Sequence, residues 1–441
     1  MSGVLARQWL WLYILLAALC ARAEEFAWDD AGPGIAKNRI TNDVPVIYSA
    51  VRIERAFFQK DLTLITTLAS NTVVGTDPLP EQIAALPKSL GKPVAAMSAD
   101  FLMMNGAAKG EPRGLHIWNG ELVSVATGMA AFWMDAGGNL HGEPVRSQLT
   151  AAWPGGEKHL AGLNEEMGTN AMVLFTPRMG ELYPPTNARS STVTRTNVSS
   201  RNTSARTNMG TRVITNSTTR ISARTNNDSA NTIPKGGAIR PPGGREWILE
   251  HAGDGPWLPL RVGHQYSGRV VSSLDGFTNV PDGKIILMLG TNLIERASGL
   301  TNGAIVTIDV ATQPNLNGQQ HALGTGPMLV RHGKLHEVTA RMSEQKHPRA
   351  AIGWNEKYLF FGVSDGRRKG VSEGIKLSEM AEFMIALGCE EVINMDGGQS
   401  STLIANGEIL NVQTPGGKHE VANGVVVLRR PITDDDEDVE K

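Results

Sequence analysis

The chain has 441 residues, of which 41% are apolar, and this is enough to bury a substantial core in one large domain or in roughly two to three smaller ones. Lys and Arg together number 42 and Asp and Glu number 44, so the charge balance gives no reason to expect nucleic acid or an anionic membrane as the main partner. The 48 glycines favour many turns and close backbone contacts over long helices.

The first 23 residues have the organisation of a secretory signal peptide. Arg7 precedes an apolar run, and the small-residue sequence Ala-Arg-Ala ends at Ala23. Cleavage after Ala23 would leave Cys389 without a disulfide partner, which favours a periplasmic or secreted bacterial protein with no transmembrane segment. The alternative is a lipoprotein anchored at Cys20, which the bulky Leu19 before it disfavours.

After a polar leader at 24–43, short apolar runs bounded by Gly, Pro, Asn and Asp predict strands. Hairpins are predicted at Asn119-Gly120 and at 136–139. The best early helix is LPEQIAALPKSLG at 79–91, whose apolar face would consist of Ile83, Leu86 and Leu90.

Residues 186–233 change abruptly to a Ser, Thr, Asn and Arg tract without aromatic residues. Such a tract has too little apolar surface to offset the entropy of ordering, which predicts a disordered insertion. Its seven arginines could contact an anionic polymer or could simply be solvated. Strand-like runs resume afterwards, so the insertion is expected to interrupt one domain that spans 44–428. An acidic tail follows at 429–441, and a solvated chain end explains it.

The last hundred residues predict a strand, a helix and a second strand. The strand KYLFFGVS ends before Asp365, a helix is predicted from an N-cap at Ser378 to a terminating Gly388, and the strand EVINM ends before Asp396. A crossover of this kind would make the two strands parallel and would bring both aspartates to one sheet edge.

The sequence DGGQSST after the second strand could be a tight turn or the floor of a pocket. Gly397 and Gly398 would let backbone N–H groups approach a ligand closely. The hydroxyls that follow, those of Ser400, Ser401 and Thr402, are suited to sugar or phosphate oxygens. Asn406-Gly407 then predicts a type I′ hairpin turn.

Basic residues near these aspartates favour the pocket. His347 and Arg349 lie on either side of a proline, and Arg367 follows Asp365 by two positions. Arginine side chains match the geometry of phosphate oxygens. The simpler interpretations are a surface position for His347 and a solvated turn at 368–369.

Four motifs in order, GTGPMLVRHGK, HPRAAIGW, DGR with LSEMAEFMIALGCEEVINMDGGQSST, and VANGVVV, resemble those of the phosphodiester glycosidase family. The earlier VAAMSADFLMMNG, followed by PRGLHIWNGELV, is similar to that family's first motif, and the resemblance spans Val44 to Leu428. The chain departs from the family at Gln399, where relatives usually have a small residue. It departs again at Lys418 and His419, where relatives often have an arginine.

The resemblance implies hydrolysis of the bond between an anomeric carbon and a phosphodiester oxygen. Asp396 would be the base or nucleophile, with Asp365 or Asp100 as the second carboxylate. Arg349 and Arg367 would bind phosphate, and His347 is a possible acid. The three aspartates could also ligate Ca²⁺ or Mg²⁺, whereas no zinc spacing such as H-E-x-x-H occurs.

Two other function classes fit the same residues. One is a non-catalytic module that binds an envelope glycan or phosphate, and the other is a lyase or transferase that acts on an envelope polymer. All three share one predicted architecture. It is α+β, with a mixed, strand-rich sheet core and a few flanking helices in one domain.

Overall fold

The computed structural model describes residues 26–41, 46–104, 108–156, 158–180, 243–275, 278–337, 339, 345–417 and 419–431. The predicted signal peptide, the low-complexity insertion at 186–233 and the acidic tail beyond residue 431 lie outside these ranges. The boundaries predicted for these segments stay predictions.

Strands dominate the described residues. The first half of the chain contains β1 (Asp29–Asp30), β2 (Ile35–Thr41), β3 (Ile47–Glu54), β4 (Leu62–Thr66), β5 (Asp77–Pro78), β6 (Lys92–Ser98), β7 (His116–Trp118), β8 (Glu121–Ser124), β9 (Thr127–Met134), β10 (Leu140–Ala152), β11 (His159–Leu160), β12 (Gly162–Leu163) and β13 (Met172–Phe175). The second half contains β14 (Arg245–His251), β15 (His264–Leu274), β16 (Ile285–Leu289), β17 (Ile305–Gln313), β18 (Ala322–Gly324), β19 (Met328–Arg331), β20 (Lys334–Leu335), β21 (Arg349–Trp354), β22 (Tyr358–Ser364), β23 (Glu391–Met395), β24 (Leu403–Ala405), β25 (Glu408–Ile409), β26 (Glu420–Val421) and β27 (Gly424–Arg429).

The α-helices in the described residues are α1 (Leu79–Ala84) and α2 (Leu377–Ala386), and short 3-10 turns occur at 55–59, 69–71, 88–90, 177–179, 291–297 and 398–400. Few helices and many strands confirm the predicted α+β, strand-rich fold.

Two sheets pack face to face around a shared core. The eight-stranded sheet has the order β1-β2-β3-β22-β21-β23-β19-β20, and the five-stranded sheet has the order β25-β24-β6-β27-β4. Val51 and Phe361 of the first sheet and Met97 and Val425 of the second are fully buried in one cluster. Because strand side chains alternate between faces, the neighbouring Phe360 points to the other face of the eight-stranded sheet.

One helix covers the outer face of each sheet. Helix α2 places Met380 and Met384 against Phe360 of the eight-stranded sheet. Helix α1 places Leu79 against Val426 of the five-stranded sheet. The sandwich is therefore apolar on both sides of both sheets, which explains why its strands read as continuous hydrophobic runs.

A twelve-stranded sheet extends from this sandwich, with the order β12-β13-β16-β14-β15-β17-β10-β9-β18-β7-β8 and β11 paired to β10. It has its own buried cluster, in which Trp247 and Tyr266 are among the largest side chains. Strands β13 and β14, which precede and follow residues 181–242, both pair with β16. Phe132 of β9 and Leu323 of β18 contribute to the core of the sandwich and attach the sheet to it.

The predicted hairpin turns are confirmed. Asn119 and Gly120 have φ values of 51° and 76°, and Asn406 and Gly407 have values of 49° and 82°. Positive φ at both central residues is the requirement of a type I′ turn. The β9–β10 hairpin likewise turns at 135–139.

Two helix predictions need correction in detail. The early helix ends at Ala84, and Leu90 at the end of the predicted apolar face is 42% exposed because it lies in a separate 3-10 turn. In α2, Ser378 lies inside the first turn and Lys376 is the N-cap, whose backbone N–H donates to Glu379 at 2.7 Å. Gly388 follows the helix with φ 97°, as predicted.

Helix α2 joins β22 to β23, and both strands pair antiparallel with β21, which lies between them. Strands β22 and β23 therefore run in the same direction without being neighbours. This confirms that Asp365 and Asp396, the residues that follow them, lie at the same edge of one sheet.

Candidate active site

The candidate site lies at one end of the sandwich, where strands of both facing sheets terminate. Asp396 directly follows β23 of the eight-stranded sheet, and Asp100 lies two residues beyond β6 of the five-stranded sheet. The backbone N–H of Asp396 donates to the carbonyl oxygen of Ala99 at 2.9 Å. This bond joins the two sheets beside Asp100 and Asp396.

Asp100 and Asp396 are electrostatically coupled. Asp100 is 2% exposed, and burial raises the pKa of its carboxyl to about 7. The negative charge of Asp396 also raises that pKa, whereas the backbone N–H groups of Gly114 and Phe101 lower it. Two neighbouring carboxylates, one buried and one partly exposed, favour sharing a proton over carrying two charges.

Asp396 has a similarly raised pKa. Burial raises the pKa of its carboxyl to about 6, while hydrogen bonds from the Ser400 hydroxyl and the Gly397 backbone N–H lower it. Both carboxyl groups therefore titrate near neutral pH, where the pair can hold one proton and one charge, as acid–base chemistry requires.

Asp100 is surrounded by three residues that were not predicted as part of the site. Asn423 accepts the backbone N–H of Asp100 at 2.9 Å, and the Gly114 N–H donates to Asp100 Oδ2 at 3.0 Å. A Cβ on Gly324 would lie 2.8 Å from the same oxygen, so only glycine fits there. The sequence did contain a signal for these residues. Each of them, Asn423, Gly114 and Gly324, lies inside a motif that carries the family resemblance.

Asn423 is itself anchored by a buried polar chain. Its side chain contacts His116 Nδ1 at 3.5 Å, and His116 Nε2 lies 3.3 Å from the Thr66 hydroxyl. The Thr66 hydroxyl in turn lies 3.1 Å from His321 Nδ1. Burial lowers the pKa of His116 to about 3, so the ring is neutral and can support Asn423 without adding charge.

Asp365 lies at the same sheet edge but in different surroundings. Its Oδ1 accepts the Val412 N–H at 3.0 Å, and its Oδ2 is buried without a hydrogen-bond partner. Burial raises its pKa to about 6, against the lowering effects of the Val412 N–H and of Arg39 and Arg368. The charge of Asp396 raises the pKa of the Asp100 carboxyl.

The structure brings the predicted cationic residues together. Burial lowers the pKa of Arg349, and the charge of Arg367 lowers it further. The pKa of His347 is lowered by burial and then by the charges of Arg349 and Arg367. Arg349 Nε donates to Ile375 O at 3.1 Å, which holds the side chain in place.

Neither guanidinium forms an ion pair with a carboxylate of a described residue. Arg349 donates to backbone carbonyls only, and Arg367 lies against the turn at Gly398, where a Cβ would be 3.1 Å from its terminal nitrogen. Positive charge that carboxylates of the site do not neutralise is suited to an anionic group of a ligand.

The two glycines allow close packing of the protein rather than contact with a ligand through their N–H groups. The Gly398 N–H donates to Pro348 O at 2.9 Å, and the Gly397 N–H is bonded to the Asp396 carboxylate. A Cβ on Gly397 would lie 2.7 Å from Pro348 O. A larger residue would push the turn, and with it Asp396, away from β21.

The three predicted hydroxyls differ in availability. Ser400 bonds to Asp396 and Ser401 Oγ is buried with no partner in the described residues, so the latter can still accept or donate. Thr402 is fully buried and its hydroxyl accepts from Gln413 at 3.0 Å, so contact with a ligand would require that bond to break.

Gln399 and His419, two positions at which the chain departs from the family pattern, contact each other. Gln399 is exposed, and its carbonyl oxygen accepts from His419 Nδ1 at 2.9 Å. His419 has φ 54°, an unusual conformation for a side-chain-bearing residue. Lys418 lies outside the described residues.

Within the described ranges, no group of three or more His, Cys, Asp or Glu side chains is placed to hold a metal ion, so Asp100, Asp365 and Asp396 do not converge as a shared ligand set. The same ranges contain no helix with the length and apolar character needed to cross a membrane.

Comparison with known proteins finds a family similarity for part of this site. Residues 267–428 match the family model described as phosphodiester glycosidase, and they include Asp365, Asp396 and the cationic residues, whereas Asp100 lies outside the matched range. No curated protein sequence matches the chain.

Among solved structures, a hypothetical protein from Synechocystis aligns with a TM-score of 0.61 and 16% identity, covering 91% of this chain and 64% of that one. An exported protein from Burkholderia pseudomallei aligns with a TM-score of 0.56 and 16% identity, covering 87% and 74%. The catalytic domain of zebrafish N-acetylglucosamine-1-phosphodiester alpha-N-acetylglucosaminidase aligns with a TM-score of 0.38 and 10% identity, covering 91% of this chain and 86% of that one. The first two establish a shared fold, and the chain spans about two thirds of the Synechocystis protein. The match at 267–428 confirms the resemblance, read from the sequence, to the phosphodiester glycosidase family.

Proposed function

We propose that the protein is a secreted hydrolase that releases a sugar, an N-acetylhexosamine in our preferred assignment, from a glycosyl phosphodiester. The observation that carries the proposal is the coupled pair Asp100–Asp396 beside a cationic cluster that has no carboxylate partner among the described residues. The family match over residues 267–428 supports the same class of reaction.

Asp396 is the residue we assign to attack or to activation of water. Burial raises its pKa to about 6, in the range of a group that exchanges protons near neutral pH, and the hydrogen bond from Ser400 fixes the orientation of its carboxylate. Asp100, rather than Asp365, is the second carboxyl group, because the charge of Asp396 acts on it directly. Two carboxyl groups across the scissile bond are the usual machinery of glycoside hydrolysis.

The bond that breaks joins the anomeric carbon to a phosphate oxygen, and the phosphate monoester leaves with the bonding electrons. Arg349 and Arg367 would neutralise the charge that develops on it, with His347 beside them. A phosphate monoester is a better leaving group than an alcohol, so these cations can perform much of the work of a general acid.

Secretion or a periplasmic location is proposed from the sequence of the first 23 residues alone. Purified mature protein from the periplasmic fraction, with an N-terminus at Glu24, would support cleavage after Ala23. A lipid-modified N-terminus at Cys20 would contradict it.

Turnover of a UDP-linked N-acetylhexosamine, measured as released sugar, tests the proposal. We expect wild-type protein to release sugar and the Asp396→Asn variant, with an unchanged melting temperature, to release almost none. A wild-type protein that binds the compound without releasing sugar would support the binding module instead. Products with an eliminated or transferred sugar would support a lyase or transferase.

A further inference from the structure

A groove away from the candidate site has no role in the proposed reaction. It lies between the β9–β10 turn, the loop from β17 to β18 and the start of β4, and its volume is about 1140 Å³. Pockets for small molecules are typically about 300–1,000 Å³, so this groove has room for an oligomeric ligand. Its lining combines apolar surface with polar side chains, and it includes Trp133, Asp135, His141, Gln319, His321 and Arg430.

Trp133 presents a polar atom to this groove. The residue is only 5% exposed, and its indole N–H donates to no described residue. The indole nitrogen is nevertheless not completely enclosed by protein. His141 stacks on it at 4.9 Å with an interplanar angle of 9°, which fixes both rings. A buried tryptophan normally pairs its N–H, so this donor is available to a ligand.

His321 supplies a second donor. Its Nδ1 accepts the Thr66 backbone N–H at 3.2 Å, and burial lowers its pKa to about 4, so the neutral ring carries its proton on Nε2. No described residue accepts from that nitrogen. Gln319 adds an acceptor, because its amide nitrogen already donates to Met134 O at 2.7 Å and to His321 O at 2.8 Å, which leaves its oxygen free.

Two charged residues of the groove are occupied by the protein itself. Arg430 donates to Thr63 Oγ1 at 2.7 Å and to two backbone carbonyls. Asp135 bonds to His141 at 2.9 Å and to backbone N–H groups of its own turn. A third charged residue, Glu143, also lines the groove and would repel an anion. Beside this carboxylate the groove offers fixed neutral donors and acceptors, and no cation among its described residues is free to attract an anion.

The edge of β4 is also partly blocked against strand addition by a peptide. His321 accepts from Thr66 at one end of β4, and Arg430 bonds to Thr63 near the other end. A peptide that paired with this edge would have to displace both side chains. Hydroxyl groups of an uncharged chain can use the groove without such displacement.

We propose that this groove is a second carbohydrate-binding site, which holds an uncharged oligosaccharide through the Trp133 N–H, the His321 Nε2–H and the Gln319 side-chain oxygen. Each of these groups is held in place by a stacked ring or by backbone hydrogen bonds. Such preorganised groups lose little entropy on binding. His321 also belongs to the polar chain behind Asn423, but the groove includes neither Asp100 nor Asp396. The site would hold the protein on a glycan without contact to the reacting carboxylates.

Isothermal titration of the full protein with chitotetraose, cellotetraose and maltotetraose tests this proposal. We expect at least one of them to bind. The Trp133→Phe variant keeps an aromatic ring, although a smaller one, and removes the N–H, and we expect affinity to fall about 3- to 10-fold, as for one lost neutral hydrogen bond. The matched control is Trp257→Phe, whose indole N–H donates to Gly283 O outside the groove, and it should bind like wild type.

A melting curve of each variant confirms that it is folded. Failure of all three tetrasaccharides to bind would overturn the proposal, as would an equal effect of both tryptophan variants. Tighter binding of inorganic tripolyphosphate, or of an unstructured decapeptide, with the same sensitivity to Trp133→Phe would show that the groove takes another class of ligand. None of these readouts depends on sugar release at Asp396.

Discussion

The backbone N–H of Asp396 donates to the carbonyl oxygen of Ala99 at 2.9 Å, so the ends of strands from two different sheets are joined beside the candidate carboxylates. The bond places Asp100 and Asp396 together although they are 296 residues apart in the sequence. The geometry of the candidate site depends on this junction and on the packing that supports it.

Asp396→Asn should lower kcat on a glycosyl phosphodiester by about 10²–10⁴-fold, the usual contribution of a general acid or base. Asparagine keeps the shape and the hydrogen bond from Ser400 but cannot accept a proton. Steady-state release of sugar measures the effect. Asp254→Asn, a change at an exposed aspartate, is the control and should leave kcat unchanged. Retained activity in Asp396→Asn would remove this residue from the mechanism.

Activity should depend on pH as a bell-shaped curve with its maximum between about 6 and 7. The pKa values of Asp396 and Asp100 are raised to about 6 and about 7, so the pair takes up a second proton on the acid side of this range and loses its last proton on the alkaline side. A profile of kcat/KM from pH 4 to 9 measures both limbs. A flat profile across this range would contradict the assignment of the pair.

Asp100→Asn should be stabilising at high pH and nearly neutral at low pH. The folded-state pKa of Asp100 is raised from 3.8 to about 7, so the folded protein binds this proton more tightly than the unfolded chain does. That stabilising contribution is complete below about pH 4 and is lost as pH rises through 7. Asparagine mimics the protonated form and does not lose it.

Urea unfolding of both proteins at pH 4 and pH 8 measures the difference. We expect the variant to gain unfolding free energy relative to wild type only at pH 8. A gain of equal size at both pH values would show that the charge of Asp100 is not its cause.

Arg349→Gln and Arg367→Gln should impair phosphodiester substrates selectively. A hydrogen bond to a charged group contributes about 1.5–3 kcal/mol, so kcat/KM for a UDP-linked sugar should fall by about 10- to 100-fold in each variant. Hydrolysis of a p-nitrophenyl glycoside, which has no phosphate, should change much less. Equal losses on both substrates would mean that these arginines position the site rather than bind phosphate.

Gly353→Ala should destabilise the protein by about 1–3 kcal/mol through overpacking. A Cβ at this position of β21 would lie 2.6 Å from Cys389 Sγ and 2.9 Å from Met384 at the end of α2. Gly168→Ala is the matched control, because a Cβ there meets no atom within 4 Å. Denaturant unfolding measures both, and equal stabilities would contradict the close approach of α2 to the sheet.

The sequence alone determined the local features, because these depend on residues close together in the chain. Asn-Gly pairs set the type I′ turns, Gly388 ended helix α2, and short continuous apolar runs marked the strands before Asp365 and Asp396. A strand-helix-strand order was enough to place these two aspartates at one edge. The family resemblance selected the same stretch for chemistry.

Only the tertiary structure decided which carboxylates share an environment. Asp100 reaches Asp396 because the five-stranded sheet packs against the eight-stranded sheet, a contact that no local pattern encodes. Likewise Asn423 and the buried ring of His116 support Asp100 from distant parts of the chain. Pairing across a packed core depends on the burial of side chains from many strands at once, and for that reason the choice between Asp100 and Asp365 required the fold.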